Sequence, residues 1–140
     1  SVSIECAIHL TKGEVYAIER KEEAASLIEQ NAHKASADHV HVIRGIAPDA
    51  LQGLPKPTHV FVGGSGGRLE EILDQVREAN PHVRVVVNAI TLETQSELLQ
   101  YVRKHGITDA DIITMQVSRS ETVAGYHMMR GENPIMIGSF

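Results

Sequence analysis

Apolar runs alternate with amphipathic stretches along most of the chain, the pattern of strands and covering helices in an α/β fold. Residues 15–18 predict a short buried strand that ends at Glu19 and Arg20. Residues 21–35 predict a helix. Ala24, Leu27, Ile28 and Ala32 are set on one face, and Glu22 and Glu23 lie in the first turn, where the helix dipole favours acids. Residues 40–43 predict a second strand, and the Pro- and Gly-punctuated residues 45–57 a connection. A third strand over 60–62 leads directly into Gly63-Gly64-Ser65-Gly66-Gly67. Leu69, Ile72, Leu73 and Val76 then have the spacing of a helix, which Asn80-Pro81 stops. Residues 83–87 are nearly all β-branched, as in a central parallel strand covered on both faces, and Asn88 closes them. Thr94 and Glu97 have capping-box spacing ahead of Leu98, Leu99 and Val102, and Gly106 is a natural stop for that helix. Beyond Gly106 the texture changes. Residues 112–117, 125–129 and 135–137 predict strands with no helices between them, added antiparallel to one sheet edge. Residues 1–10 predict a helix with no strand before it. A doubly wound domain opens with a strand and a glycine turn, so the chain reads as beginning inside its fold.

Length allows one domain rather than two: 140 residues, of which 42% are hydrophobic and 22% charged. No apolar run approaches the roughly 18 residues of a membrane span, and the start has no basic-then-apolar leader pattern. The single cysteine, Cys6, makes no internal disulfide and no metal cluster. These features predict a cytoplasmic protein with no membrane partner. The formal net charge of -5 weighs against a general nucleic-acid binder.

Glu19 stands at the carboxyl end of a predicted strand, where ligands of open α/β sheets bind. A carboxylate there accepts hydrogen bonds from both hydroxyls of a ribose, or is simply solvated. The run from Gly63 to Gly67 lies between a strand and a helix. Its glycines permit positive φ and close approach of backbone to a ligand, and free N–H groups at such a place meet anions. It is neither a Walker loop, lacking Gly-Lys-Ser/Thr, nor G-x-G-x-x-G, because Leu69 stands at the third glycine. Asn88, Thr91, Glu93 and Thr94 read either as site residues on the same rim or as helix caps. Asn133-Pro134 reads as a turn. His39 and His41 share a strand face but have no third ligand at a recognisable spacing, so no metal is expected. Arg68, Arg119 and Arg130 are candidate anion contacts that would give the loop a basic rim.

These residues resemble a family. S-V-S-I-E at the start resembles the stretch after the glycine loop of precorrin C5,15-methyltransferases (decarboxylating), and V-Y-A-I-E-R, ending at Arg20, resembles their ribose-binding strand end. R-G-I-A-P-D-A-L from Arg44 is similar to their adenine-side segment. The most specific signature is F-V-G-G-S-G-G-R-L-E-E-I-L from Phe61, and V-V-N-A-I-T-L-E-T from Val86 is a second. V-S-R-S from Val117 and Asn133-Pro134 resemble their late strands. The resemblance implies an α/β, class I, Rossmann-like domain over residues 1–140 that uses S-adenosyl-L-methionine (SAM). Its sheet would be mostly parallel with antiparallel C-terminal strands. It further implies methylation, with decarboxylation, of a precorrin or cobalt-precorrin tetrapyrrole in cobalamin biosynthesis, and a homo-oligomer, often a tetramer. Carried over by position, Glu19, Arg20, Ile46, Ala47 and Gly63 hold the cofactor. Gly64, Ser65, Gly66, Gly67, Arg68, Asn88 and Thr91 meet the substrate. No general base is implied. Two departures stand out: the family's first strand and glycine loop would lie upstream of Ser1, and Ile46 replaces an acid before Ala-Pro.

Other readings compete. Nucleic-acid amino-methyltransferases carry an acidic/Asn-Pro-Pro-aromatic motif where this chain has Gly-Gly-Ser-Gly-Gly. A nicotinamide dehydrogenase needs the missing dinucleotide fingerprint. A methyltransferase of another small molecule, or a non-catalytic methyltransferase-like binding module, stays open.

Overall fold

The structure is a computed structural model that describes residues 2–140. The chain divides between Leu54 and Pro55 into two compact units.

In the first unit, β1 (Val15–Glu19) and β2 (Val40–Arg44) pair in parallel, from Val15 opposite Val40 to Glu19 opposite Arg44. The crossover between them is α2 (Glu22–Lys34). It buries Ala25 and Ala32 but leaves Leu27 on the outside, so the apolar face is rotated from the predicted one. Its last turn closes with Ser36 at φ 51, where Ser36 N–H meets His33 O and Ala37 N–H meets Ala32 O. The helix predicted at the start is α1 (Val2–His9), with Ile4 and Ala7 buried; the part of that prediction on Ser1 lies outside the described residues. His39 Nε2 lies 3.0 Å from the Ala7 carbonyl and so ties α1 to the start of β2. A short 3-10 turn, Asp49–Leu51, interrupts the connection after β2.

In the second unit, β3 (His59–Val62), β4 (Arg84–Ala89), β5 (Asp111–Met115) and β8 (Ile135–Ser139) form one sheet in the order β3-β4-β8-β5. β3 and β4 are parallel, while β8 runs antiparallel to both β4 and β5. β5 therefore points the same way as β4, and only β8 reverses. The β-branched run of β4 buries Val85 and Val87 with Ala89 on one face. From β3 comes α3 (Leu69–Ala79), which buries Leu69, Ile72, Leu73 and Val76; from β4 comes α4 (Leu92–Lys104), which buries Leu98 and Tyr101. Gly138, opposite Val87, lies under Leu98. A Cβ there would stand 2.9 Å from Leu98 Cδ2, so the helix sits this close only over glycine.

The caps of α4 correct one expectation and bear out another. Its N-cap is Thr91, whose hydroxyl accepts from Thr94 N–H at 3.2 Å, so Thr94 and Glu97 form no capping box. Gly106, at φ 60, ends the helix as predicted. Its N–H meets Arg103 O, and Ile107 N–H meets Val102 O.

The C-terminal strands differ in detail from the prediction. The first stops at Met115, and a strand that the apolar pattern did not predict, though V-S-R-S from Val117 resembles a late strand of the family, β6 (Ser118–Val123), pairs with β7 (Tyr126–Gly131) in a separate antiparallel hairpin. Ala124 and Gly125, at φ 50 and 83, form its two-residue turn; both central residues at positive φ match the right-handed strand twist. Every residue of β6 and β7 is exposed. Among the described residues, β1 pairs with β2 alone and β3 with β4 alone, so each keeps one ladder edge unpaired. No helix among them is long and apolar enough to cross a membrane.

Candidate functional site

The two units each present a rim at the carboxyl ends of their parallel strands. In the first, Glu19 is the last residue of β1 and is half-buried. One of its oxygens, Oε1, accepts the Lys21 backbone N–H at 2.9 Å. That bond holds the carboxylate at the strand end. Arg20 is exposed beside it. Opposite Glu19, β2 ends at Arg44, and the Gly45 N–H returns to the Glu19 carbonyl at 3.1 Å. The chain then turns through Ile46 and Ala47, with Ala50 N–H meeting Ile46 O at 2.9 Å. Ile46 is 53% exposed. It therefore offers an exposed apolar side chain in the turn after β2. The structure thus brings Glu19, Arg20, Ile46 and Ala47 to one strand edge.

In the second unit, the loop after β3 and the loop after β4 leave adjacent parallel strands, with Val62 opposite Val87. Gly63 to Gly67, Arg68 and Thr91 therefore share a rim. Arg68 N–H meets Ser65 O, and Gly66 and Gly67 take φ 61 and 82, which makes a tight turn immediately before α3. A Cβ built on Gly64, Gly66 or Gly67 meets no atom within 4 Å. The glycines are thus not required by packing. Gly63 differs, because its Cβ would stand 3.1 Å from the Phe61 ring. Ser65 is 7% exposed, and its hydroxyl has no hydrogen-bond partner. No side chain caps α3, whose first turn carries Glu70 and Glu71.

Two expected site residues are placed differently. Asn88 does not close β4; it lies within the ladder opposite Ile137, and Ala89 follows. The hydroxyl of Thr91 is committed to capping α4. The anticipated basic rim is also altered. Arg68 is bound by Glu71, Arg119 by Glu132 and Arg130 by Glu121, so each cation already faces an acid. Arg119 and Arg130 stand directly opposite each other near the base of the hairpin. His39 and His41 take separate partners, the Ala7 carbonyl and the Glu14 carboxylate.

Behind the loop, α3 and α4 are joined by polar contacts that no local pattern announces. Tyr101, 2% exposed, donates to Asp74 at 3.1 Å. Its ring stacks on His105, and Lys104 pairs with Glu70. Burial, with the Asp74 carboxylate second, pushes the Tyr101 hydroxyl up to about 12. The folded state thus favours neutral Tyr101. Its contribution is complete below the ordinary tyrosine value near 10 and is lost as pH rises through 12. Tyr101→Phe is expected to lose less stability than the parent between about pH 10 and 12, read as the change in urea midpoint over that window. Parallel losses in the two proteins would discard this coupling.

Residues 1–139 match the precorrin methyltransferase domain family. The chain is 37% identical over 125 residues to a Methanothermobacter thermautotrophicus protein named probable cobalt-precorrin-6B C(15)-methyltransferase (decarboxylating), covering 88% of this chain and 65% of that one. It thus spans just under two thirds of that relative's length. Among solved structures, it superposes on precorrin-6y C5,15-methyltransferase from Geobacter metallireducens with a TM-score of 0.86 and 34% identity, over 99% of this chain and 73% of that one. A SAM-dependent O-methyltransferase from Thermotoga maritima shares the fold alone, with a TM-score of 0.61 at 17% identity over 91% of this chain and 49% of that one.

Proposed function

The chain belongs to the precorrin methyltransferase domain family and has the class I SAM-dependent methyltransferase fold, and on that premise we propose that it forms most of a domain that methylates a precorrin or cobalt-precorrin and releases carbon dioxide from an acetate side chain, in cobalamin biosynthesis. The observation that carries this reading is the glycine turn at the carboxyl end of β3, which keeps positive φ although nothing packs where its side chains would be. Such glycines cost conformational entropy in a mere connection. They are useful where a broad, flat ligand must lie against backbone.

SAM fits the residues of the first unit. Glu19 keeps one carboxylate oxygen beyond its bond to Lys21 N–H and can accept from ribose, with Arg20 beside it, while Ile46 and Ala47 offer the adenine an apolar surface. The family resemblance assigns Gly63 to the cofactor as well. When bound, SAM supplies an electrophilic methyl on a sulfonium, so positive charge disperses during transfer and no strong acid is needed. Gly64, Ser65, Gly66 and Gly67 position the macrocycle, and Arg68 with the rim near Asn88 and Thr91 borders it. The exposed Arg119 and Arg130 exchange their acid partners for substrate carboxylates, since exposed ion pairs hold weakly. The tetrapyrrole itself delocalises the charge left by decarboxylation. The protein's share is orientation and exclusion of water.

The open edges of β1 and β3 support a further strand and the family's glycine loop as parts of the complete domain. The hairpin, which exposes Val123, Tyr126, Met128 and Met129, supplies the contact of a homo-oligomer, a tetramer by family resemblance. The setting is cytoplasmic, and neither a membrane nor a nucleic acid is a partner.

The test is turnover by the intact domain with methyl-labelled SAM and precorrin-6Y or cobalt-precorrin-6B. Label is expected in the tetrapyrrole together with released carbon dioxide. Label appearing only on a different small molecule would replace the substrate class.

A further inference from the structure

Arg44 closes β2 with contacts that a solvated strand-end arginine does not need. Its Nε lies 3.1 and 2.9 Å from the two oxygens of Glu22. Its two terminal nitrogens reach the two oxygens of Glu29 at 2.7 and 3.0 Å. Glu22 and Glu29 are two turns apart on α2, so one planar guanidinium grips the helix at two points. Hydrogen bonding to Glu29, then to Glu22, raises the guanidinium further into its charged form, and the same bond from Arg44 lowers the Glu29 carboxyl. The Arg44 side chain is 43% exposed. Exposed ion pairs add little to stability, and bidentate geometry contributes orientation instead.

What is oriented matters. Arg44 stands opposite Glu19 in the ladder, and the next residue, Gly45, returns its N–H to the Glu19 carbonyl. A Cβ on Gly45 would lie 2.7 Å from Ala50 Cβ, so the turn that carries Ile46 and Ala47 is packed tightly against the end of β2. A shift of Arg44 relative to α2 therefore moves the ribose acceptor and the adenine surface unequally. We propose that Arg44 is a positioning residue for the cofactor: by clamping the carboxyl end of β2 to α2, it sets the spacing between Glu19 and the Ile46–Ala47 surface. The proposal rests on the reading that these residues hold SAM.

The experiment is calorimetric SAM titration of Arg44→Lys and Arg44→Ala in the intact domain, beside thermal melts and KM and kcat for SAM. Lysine keeps the charge but not the fork. Both variants are expected to bind SAM about tenfold more weakly. Tm is expected to move by less than about 2 °C, and the loss to fall on KM rather than kcat. Lysine restoring parental affinity, or both variants binding within about twofold of the parent, would overturn the role. Should Arg44→Ala fail to fold, Arg44→Lys carries the test alone. Glu19→Ala in the same series separates the two ideas. If it loses affinity while the Arg44 variants do not, only the positioning role falls; if none of them loses affinity, the cofactor reading falls as well.

Discussion

Gly66→Val in the intact domain is expected to abolish tetrapyrrole methylation while SAM affinity stays within about threefold of the parent. Gly66 sits at φ 61, a conformation β-branched residues rarely adopt, and valine there costs on the order of 1–3 kcal/mol. A stable domain survives that. The substrate does not survive it so easily. The space beside Gly66 holds no protein atom within 4 Å of a built Cβ, and the valine methyls would project into it. On the proposed reading, contacts to the cofactor come from other residues, chiefly Glu19 and the Ile46–Ala47 turn. Turnover with the tetrapyrrole and SAM titration on one preparation separate the effects. Normal turnover would reduce the loop to a simple turn. Loss of SAM binding in a folded variant would instead transfer the loop to the cofactor.

The second large effect concerns Glu19. If Glu19 holds ribose as proposed, removing its carboxylate takes away two charge-assisted hydrogen bonds, each worth about 1.5–3 kcal/mol, so Glu19→Ala is expected to weaken SAM binding by about a hundredfold or more. Folding should change far less. Glu19 is half-buried at a strand end and holds only the Lys21 N–H, an exposed donor that water can serve. Calorimetry beside a thermal melt distinguishes the two losses. An unchanged Kd would remove Glu19 from the site.

Four strands and three helices of the parallel region are readable in the sequence because length and period agree, as in the β-branched β4 and the evenly spaced Leu69, Ile72, Leu73 and Val76. The face of α2 is not, because Ala24, Ala25, Leu27 and Ile28 are all apolar and several faces satisfy the same pattern. The start of α4 was equally ambiguous, since Thr91 and Thr94 both have capping chemistry and only the backbone decides between them. β6 is legible only through the resemblance of V-S-R-S and not in the apolar pattern, because Ser118–Val123 has neither face buried and so needs no alternation. The glycine turn was visible from position alone, between a strand and a helix. The Arg44 fork and the Tyr101–Asp74 bond were not, for their partners lie 15 to 27 residues away in sequence.

The hairpin has a last consequence, for how such a protein diverges. Nothing in β6 or β7 is buried, and a two-residue turn closes them. Substitutions there leave the packing of Leu98 over Gly138 and the burial of Leu73 on α3 untouched. Core mutations in a marginally stable protein meet a threshold that removes most of them. Changes on this arm escape that filter. On the proposed reading, self-association and the outer border of the substrate can therefore drift over generations while the strand rims proposed to hold cofactor and macrocycle stay constant, so relatives should differ first in what they assemble into and only later in what they methylate.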